Sequence, residues 1–337
     1  MQILCGGDAS GGDICAKKKL GSALALDAGA GAGVNACMAR SDNLTAAIFM
    51  MVSMAAFTIN DTFMKMLAGD LPLNQLLFLR GVITSVAVGV MAWRMGAFRF
   101  ALGGRDARLI ALRTLAELGA AYCFLTALFN MPLANVTAIL QALPLTLTLA
   151  AALFMREPVG WRRLAAILVG FAGVMLIVRP GPDGFNPYAL YGLGAVCCVT
   201  LRDLTTRGLS REVPSMLVTF VTSVSVMVVF GLASMGTPWT PLGARETGLV
   251  AAAAGFVIVA YLFSIMVMRV GEISFSAPFR YTAILWALLL GWLAFGEWPD
   301  PLTLLGAGIV VGSGLFTLYR EARLGRRIAL SQRLPRR

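Results

Sequence analysis

Long apolar segments alternate with short polar connections along almost the whole chain. A helix that crosses a bilayer needs about 20 apolar residues, with roughly 17–25 accommodated. Ten segments meet that length, at 43–67, 71–93, 109–129, 133–154, 161–178, 187–209, 213–235, 247–268, 273–296 and 302–319. The connections are mostly short, which makes neighbouring helices antiparallel. The pattern predicts an all-α integral membrane protein of ten transmembrane helices.

The second five segments repeat the first five. Asn60-Asp61-Thr62-Phe63-Met64-Lys65 falls on Arg202-Asp203-Leu204-Thr205-Thr206-Arg207 at a shift of 142 residues, and the same shift brings Asp70-Leu71-Pro72 onto Glu212-Val213-Pro214 and Phe78 onto Phe220. At a shift of 139, Ala121-Tyr122 meets Ala260-Tyr261, Phe124 meets Phe263, and Gln141 meets Arg280; Glu157 meets Glu297 at a shift of 140. Five spans is an odd number, so the second copy lies upside down in the membrane. Residues 42–180 are then one five-helix repeat and 185–320 its inverted partner, flanked by a leading segment 1–41 and a basic tail 321–337. Inverted repeats of this kind are the architecture of secondary transporters, whose sites lie between the copies near mid-membrane.

Composition supports the membrane reading. The 337 residues are 58% hydrophobic and 13% charged, with a mean hydropathy of +0.79, against about 25% charged in a soluble domain. The net charge of +11 does not point to nucleic acid, because the basic residues lie in connections on one side. Arg94, Arg99, Arg105, Arg108, Arg156, Arg162, Arg163, Arg207, Arg211, Arg269 and the arginines from Arg320 onward share that side, against Lys65, Arg179 and Arg245 on the other. The bias predicts that both termini are cytoplasmic, in a multi-pass protein of the bacterial inner membrane. Histidine is absent, which removes His triads, His metal sites and His relays. Of six cysteines, Cys123, Cys197 and Cys198 sit in apolar segments, and no CxxC pair exists. Neither a metal site nor a cofactor is implied. Residues 1–41 lack a sustained apolar run and read as a disordered tail, or as a leader to a translation start at Met38.

With the repeat in place, the chain resembles the EamA-type drug/metabolite transporter family over about 43–320. The resemblance rests on Glu157 followed by a helix with Gly170 and Gly173, and on Glu297 followed by Gly306, Gly308, Gly312 and Gly314. Asn60-Asp61 with Lys65, Ala277-Pro278-Phe279-Arg280-Tyr281 and Gly296-Glu297-Trp298-Pro299-Asp300 look like a subgroup that contains transporters of riboflavin and of S-adenosylmethionine. The resemblance implies ten helices in two inverted halves that move a small organic solute as monomer or homodimer.

Ionisable residues inside spans are costly and are functional candidates by default. Asp61, Arg80, Glu117, Asp203 and Arg280 are central or nearly so. Asp61 and Lys65 are four apart, as are Asp203 and Arg207, and Arg113 and Glu117; such residues meet on a helix surface. The repeat puts Asp61-Lys65 toward one mouth and Asp203-Arg207 toward the other, where each pair either supports a gate or only neutralises a local charge. Arg80 and Arg280 have no partner on their own helices, and Glu117 is the natural partner for one of them. Glu117 is also the candidate for a coupling proton unless Arg113 or Arg80 holds it ionised. Glu157 and Glu297 read as helix-end caps.

Pro144 and Pro278 each remove a backbone donor in mid-helix, and broken backbone at membrane depth is tolerated beside protein or a watery cavity. This places the expected substrate site between spans 4 and 9, with spans 1, 2, 3 and 6 contributing and Arg280, Tyr281, Phe279, Gln141, Arg80 and Trp286 as contacts. Phe279, Tyr281 and Trp286 supply rings for stacking. Riboflavin is the preferred solute. S-adenosylmethionine, an amino acid or drug for export, and a purely structural membrane role are the alternatives. An enzyme is disfavoured, because the aspartates have basic neighbours at i+4 and no zinc-protease motif exists without histidine.

Overall fold

A computed structural model describes residues 42–99, 103–155, 160–179, 186–210, 212–270 and 273–333. The leading segment 1–41, Glu157 and the last four residues lie outside the described residues. The helices are α1 (Asp42–Met66), α2 (Leu73–Arg94), α3 (Gly104–Asn130), α4 (Leu133–Leu140), α5 (Leu143–Met155), α6 (Trp161–Val178), α7 (Tyr188–Arg207), α8 (Ser215–Ser234), α9 (Ala244–Val270), α10 (Ile273–Ser276), α11 (Thr282–Phe295) and α12 (Pro301–Arg333). No strand occurs among the described residues.

The helices map closely onto the ten apolar segments. Among the described residues, nine spans are long and apolar enough to cross a membrane by length and composition, counting α4 with α5 as one and the 3-10 turn Ala277–Tyr281 with α11 as one. The tenth, α7, has 20 residues but is less apolar, because Arg202 and Asp203 interrupt it. It packs along α3 inside the bundle, where charges can find partners. The protein is thus an all-α membrane bundle of ten helices in two inverted repeats.

Packing between the repeats obeys a two-fold relation. Spans 2 and 7 pack together (α2 on α8), as do spans 5 and 10 (α6 on α12); each pair is equivalent to itself. Spans 3 and 6 pack as α3 on α7. Their equivalents, spans 8 and 1, meet through Ser53 Oγ donating to the Ala260 carbonyl at 2.8 Å, and through Phe49–Phe263, Phe57–Tyr261 and Phe63–Phe256 ring contacts. Spans 4 and 9 meet at their breaks, where Gln141 Nε2 donates to the Tyr281 carbonyl at 3.3 Å. The contacts between the repeats therefore come in sets related by the repeat itself.

Among the family-like glycines, Gly173 and Gly306 allow the closest backbone approach. A Cβ on Gly173 would sit 2.8 Å from the Gly306 carbonyl oxygen, and one on Gly306 would sit 2.6 Å from the Gly173 oxygen. Glycine at both positions lets α6 and α12 touch without side chains between them. Gly308 and Gly312 face open space instead.

The connections sort into two ends. At one end, called the basic end here, Arg105 donates to the Gly208 carbonyl at 3.4 Å, and Asp106 accepts from Ser210 N at 3.2 Å and Ser210 Oγ at 3.1 Å. At the far end, Asp70 pairs with Arg245 at 2.8 Å and Arg179 with Asp300 at 3.1 Å. There the Gln75 amide also exchanges two hydrogen bonds with the Thr240 backbone, at 2.8 and 3.0 Å.

Candidate functional site

A cavity of about 330 Å³ lies among α2, α3, α7, α8 and α9. It runs from Met91, Ser215 and Met216 near the basic end to Val226 and Val257 at mid-depth. Pockets of roughly 300–1,000 Å³ are the usual size for small organic ligands. The position differs from the site expected between spans 4 and 9. Those two spans close on each other through Gln141 and Tyr281, which leaves the open space to the helices on the other side.

Charge converges on the cavity. Arg80, Arg113, Glu117, Arg202 and Asp203 all line it. Arg202 is the hub: its guanidinium reaches Glu117 at 3.2 Å and Asp203 at 2.9 Å. Arg113 donates to the hydroxyls of Thr206 at 3.0 Å and Thr222 at 2.6 Å. Arg80 makes no hydrogen bond or ion pair with a described residue through its guanidinium, and it stands within electrostatic reach of Asp61. Arg280 lies off the cavity lining but within electrostatic reach of Asp203, and it is exposed. Among the described lining residues, three arginines against two carboxylates leave one surplus positive charge.

Hydroxyls cover much of the remaining wall. Ser215, Thr219, Thr222 and Ser223 mark one side of α8, with Thr84 on α2 and Thr206 on α7. Thr84, Thr219, Thr222 and Thr206 each donate their proton to a carbonyl of their own helix. Donating inward leaves hydroxyl lone pairs for outside donors. Tyr261 adds the aromatic element, held edge-on by Phe57 at 5.3 Å between centroids.

The local i,i+4 pairings expected from sequence are not the ones formed. Lys65 Nζ bonds both Glu297 carboxylate oxygens at 2.7 Å and the Met131 carbonyl at 2.8 Å, rather than Asp61. Asp61 instead accepts from the Asn60 amide at 2.9 Å. Asp203 pairs with its neighbour Arg202 rather than with Arg207, which is exposed and makes no ion pair with a described residue. Glu117 is held by Arg202 rather than by Arg80 or Arg280. In a packed bundle a long side chain chooses among several helices, and the carboxylate four residues back is only one candidate.

The expected ring contacts are also redirected. Tyr281 is 5% exposed, and its hydroxyl presses onto Gly314 of α12, where no side chain would fit. Phe279 packs on Phe275 at 6.0 Å, and neither Phe279 nor Trp286 lines the cavity. Pro144 and Pro278 do sit at breaks: α4 ends at Leu140 before α5 resumes at Leu143, and Pro278 falls in a 3-10 turn. The residues that sequence reasoning passed over are Arg202, Tyr261 and the α8 hydroxyls. Arg202 was visible as a mid-span arginine aligned with Asn60. The hydroxyl face was visible as Ser215, Thr219 and Thr222, at spacings of four and three.

Inverted five-helix repeats around a charged, hydroxylated cavity define a membrane bundle of the secondary-transporter class. The chain belongs to the EamA-like transporter family, which matches residues 44–179 and 186–319. It is 30% identical to a riboflavin transporter of Vibrio cholerae over 201 residues, covering 59% of this chain and 67% of that one. It is 28% identical to an S-adenosylmethionine uptake transporter of Rickettsia felis over 192 residues, 56% of this chain and 64% of that protein's length. The chain thus spans somewhat less than two thirds of that relative. A solved crystal structure 20% identical in sequence superimposes with a TM-score of 0.57, covering 83% of this chain and 98% of its own; it shares the fold.

Proposed function

We propose that this protein carries a small organic solute across the bacterial inner membrane by alternating access, with both termini in the cytoplasm, and that the solute is riboflavin or a close analogue. The cavity charge carries this reading. One surplus positive charge and an Arg80 guanidinium free of hydrogen-bonding partners among the described residues suit a solute rich in acceptors and without net positive charge. The fused ring of riboflavin presents carbonyl oxygens that a planar guanidinium fork can meet. Its side-chain hydroxyls can donate to the lone pairs of Thr84 and Thr219. Tyr261 offers a ring face or edge to a flat heterocycle.

S-adenosylmethionine carries a sulfonium and an ammonium against one carboxylate, so it enters with a positive charge. Like charges in a low-dielectric site repel strongly, and the two cavity carboxylates are already engaged by Arg202. The deciding experiment is uptake of labelled riboflavin into a cell unable to make it, with and without this gene. Labelled S-adenosylmethionine is measured in parallel. Riboflavin uptake that depends on the gene is expected. Uptake of S-adenosylmethionine alone would reverse the assignment.

A further inference from the structure

The ties that close the far end differ in kind. Arg245–Asp70 is a surface pair, with side chains 63% and 42% exposed. Lys65–Glu297 is an inner one, with the Lys65 side chain only 8% exposed. All three ammonium donors of Lys65 have acceptors, namely both oxygens of Glu297 and the carbonyl of Met131. The ring of Phe295 lies 4.8 Å from the charge. Glu297 Oε2 also accepts the Leu133 N–H at 3.1 Å, at the first residue of α4. One ion pair therefore joins three places: the last turn of α1, the turn between α3 and α4, and the connection from α11 to α12. The first two belong to one repeat and the third to the other.

We propose that Lys65–Glu297 is the latch that holds the far end shut while the cavity stands open toward the basic end, and that it parts once per transport cycle. Its placement suits a tie that must break. Lys65 is the penultimate residue of α1, so on opening the flexible ammonium can reach headgroup water. A pair at mid-membrane would have no such refuge. The repeat supplies the contrast. Arg207, aligned with Lys65, is exposed at the basic end and makes no ion pair with a described residue, and the cavity lining reaches toward that end at Met91, Ser215 and Met216.

This inference rests on the alternating-access reading but not on the identity of the solute, and its test reads the opening of an end rather than uptake. A single reporter, Val226→Cys at mid-depth of the cavity, is placed in a chain whose native cysteines are replaced by alanine or serine. A membrane-impermeant maleimide is applied to sealed vesicles from the side opposite the C-terminal tail. Labelling should be slow in the parent, about tenfold faster in Lys65→Gln and in Glu297→Gln, and slow again in the double exchange Lys65→Glu with Glu297→Lys. Parent-rate labelling in both single variants would overturn the latch. So would failure of both singles and of the exchange to insert as folded protein, because the pair would then serve folding alone.

Discussion

The two ends of the bundle are built from equivalent stretches of the repeat and do opposite things. At the far end, Lys65 is drawn in and fully engaged. At the basic end, its counterpart Arg207 is exposed. One step deeper the contrast reverses. Asp61 has a neutral amide beside it in Asn60, whereas Asp203 has a cation beside it in Arg202. That single difference moves the charge network into the basic half, because Arg202 also holds Glu117. An inverted repeat gives symmetric scaffolding. A few unequal residues decide which half carries the charge network.

The comparison is broken most severely by removing the hub of the charge network in the basic half. Arg202→Leu leaves Glu117 and Asp203 without their cation, a change that costs about 3–5 kcal/mol for an inner pair. Thermal unfolding in detergent should show a large drop in Tm, partly recovered by adding Glu117→Gln. On the sealed half, Gln75→Leu removes both hydrogen bonds to Thr240 from a fully buried position. A loss of about 1–3 kcal/mol is expected for the backbone groups left unpaired, read in the same assay.

Arg80→Gln sharpens the functional side. A charge-assisted hydrogen bond is worth about 1.5–3 kcal/mol, so transport KM should rise tenfold or more if Arg80 meets the solute. An unchanged KM would remove Arg80 from the site. The smallest effect is expected at the rim of the sealed end. Arg245→Ala deletes an exposed pair worth about 0–1 kcal/mol, and the rate of transport should stay within about twofold of the parent. A loss comparable to that from Lys65→Gln would mean that the seal is spread over the rim rather than centred on Lys65.

Much of the fold was legible because the bilayer imposes a length and a polarity on each span. The segment 161–178 coincides with α6, and 133–154 matches α4 and α5 together to within a residue. The facing of spans 4 and 9 was legible too, since Gln141 and Arg280 align in the repeat and the breaks do touch. The position of the cavity was not. Two helix breaks suggest space, yet here they fill each other, and the void opens beside the unbroken α2, α8 and α9. Partner choice was equally hidden. Lys65 and Asp61 are one helical turn apart, but Glu297, 232 residues away, supplies both carboxylate oxygens.

By itself the sequence determined the number of spans, the repeat, its inversion and the set of charges that the membrane must accommodate. Each of these follows from local rules: hydrophobic length, residue period and the cost of desolvating an ion. Only the tertiary structure decided which acid meets which base, which rings are packed away and which half of the bundle stays open. Those outcomes depend on helix–helix distance, to which a side chain six or seven ångströms long is sensitive and sequence spacing is blind.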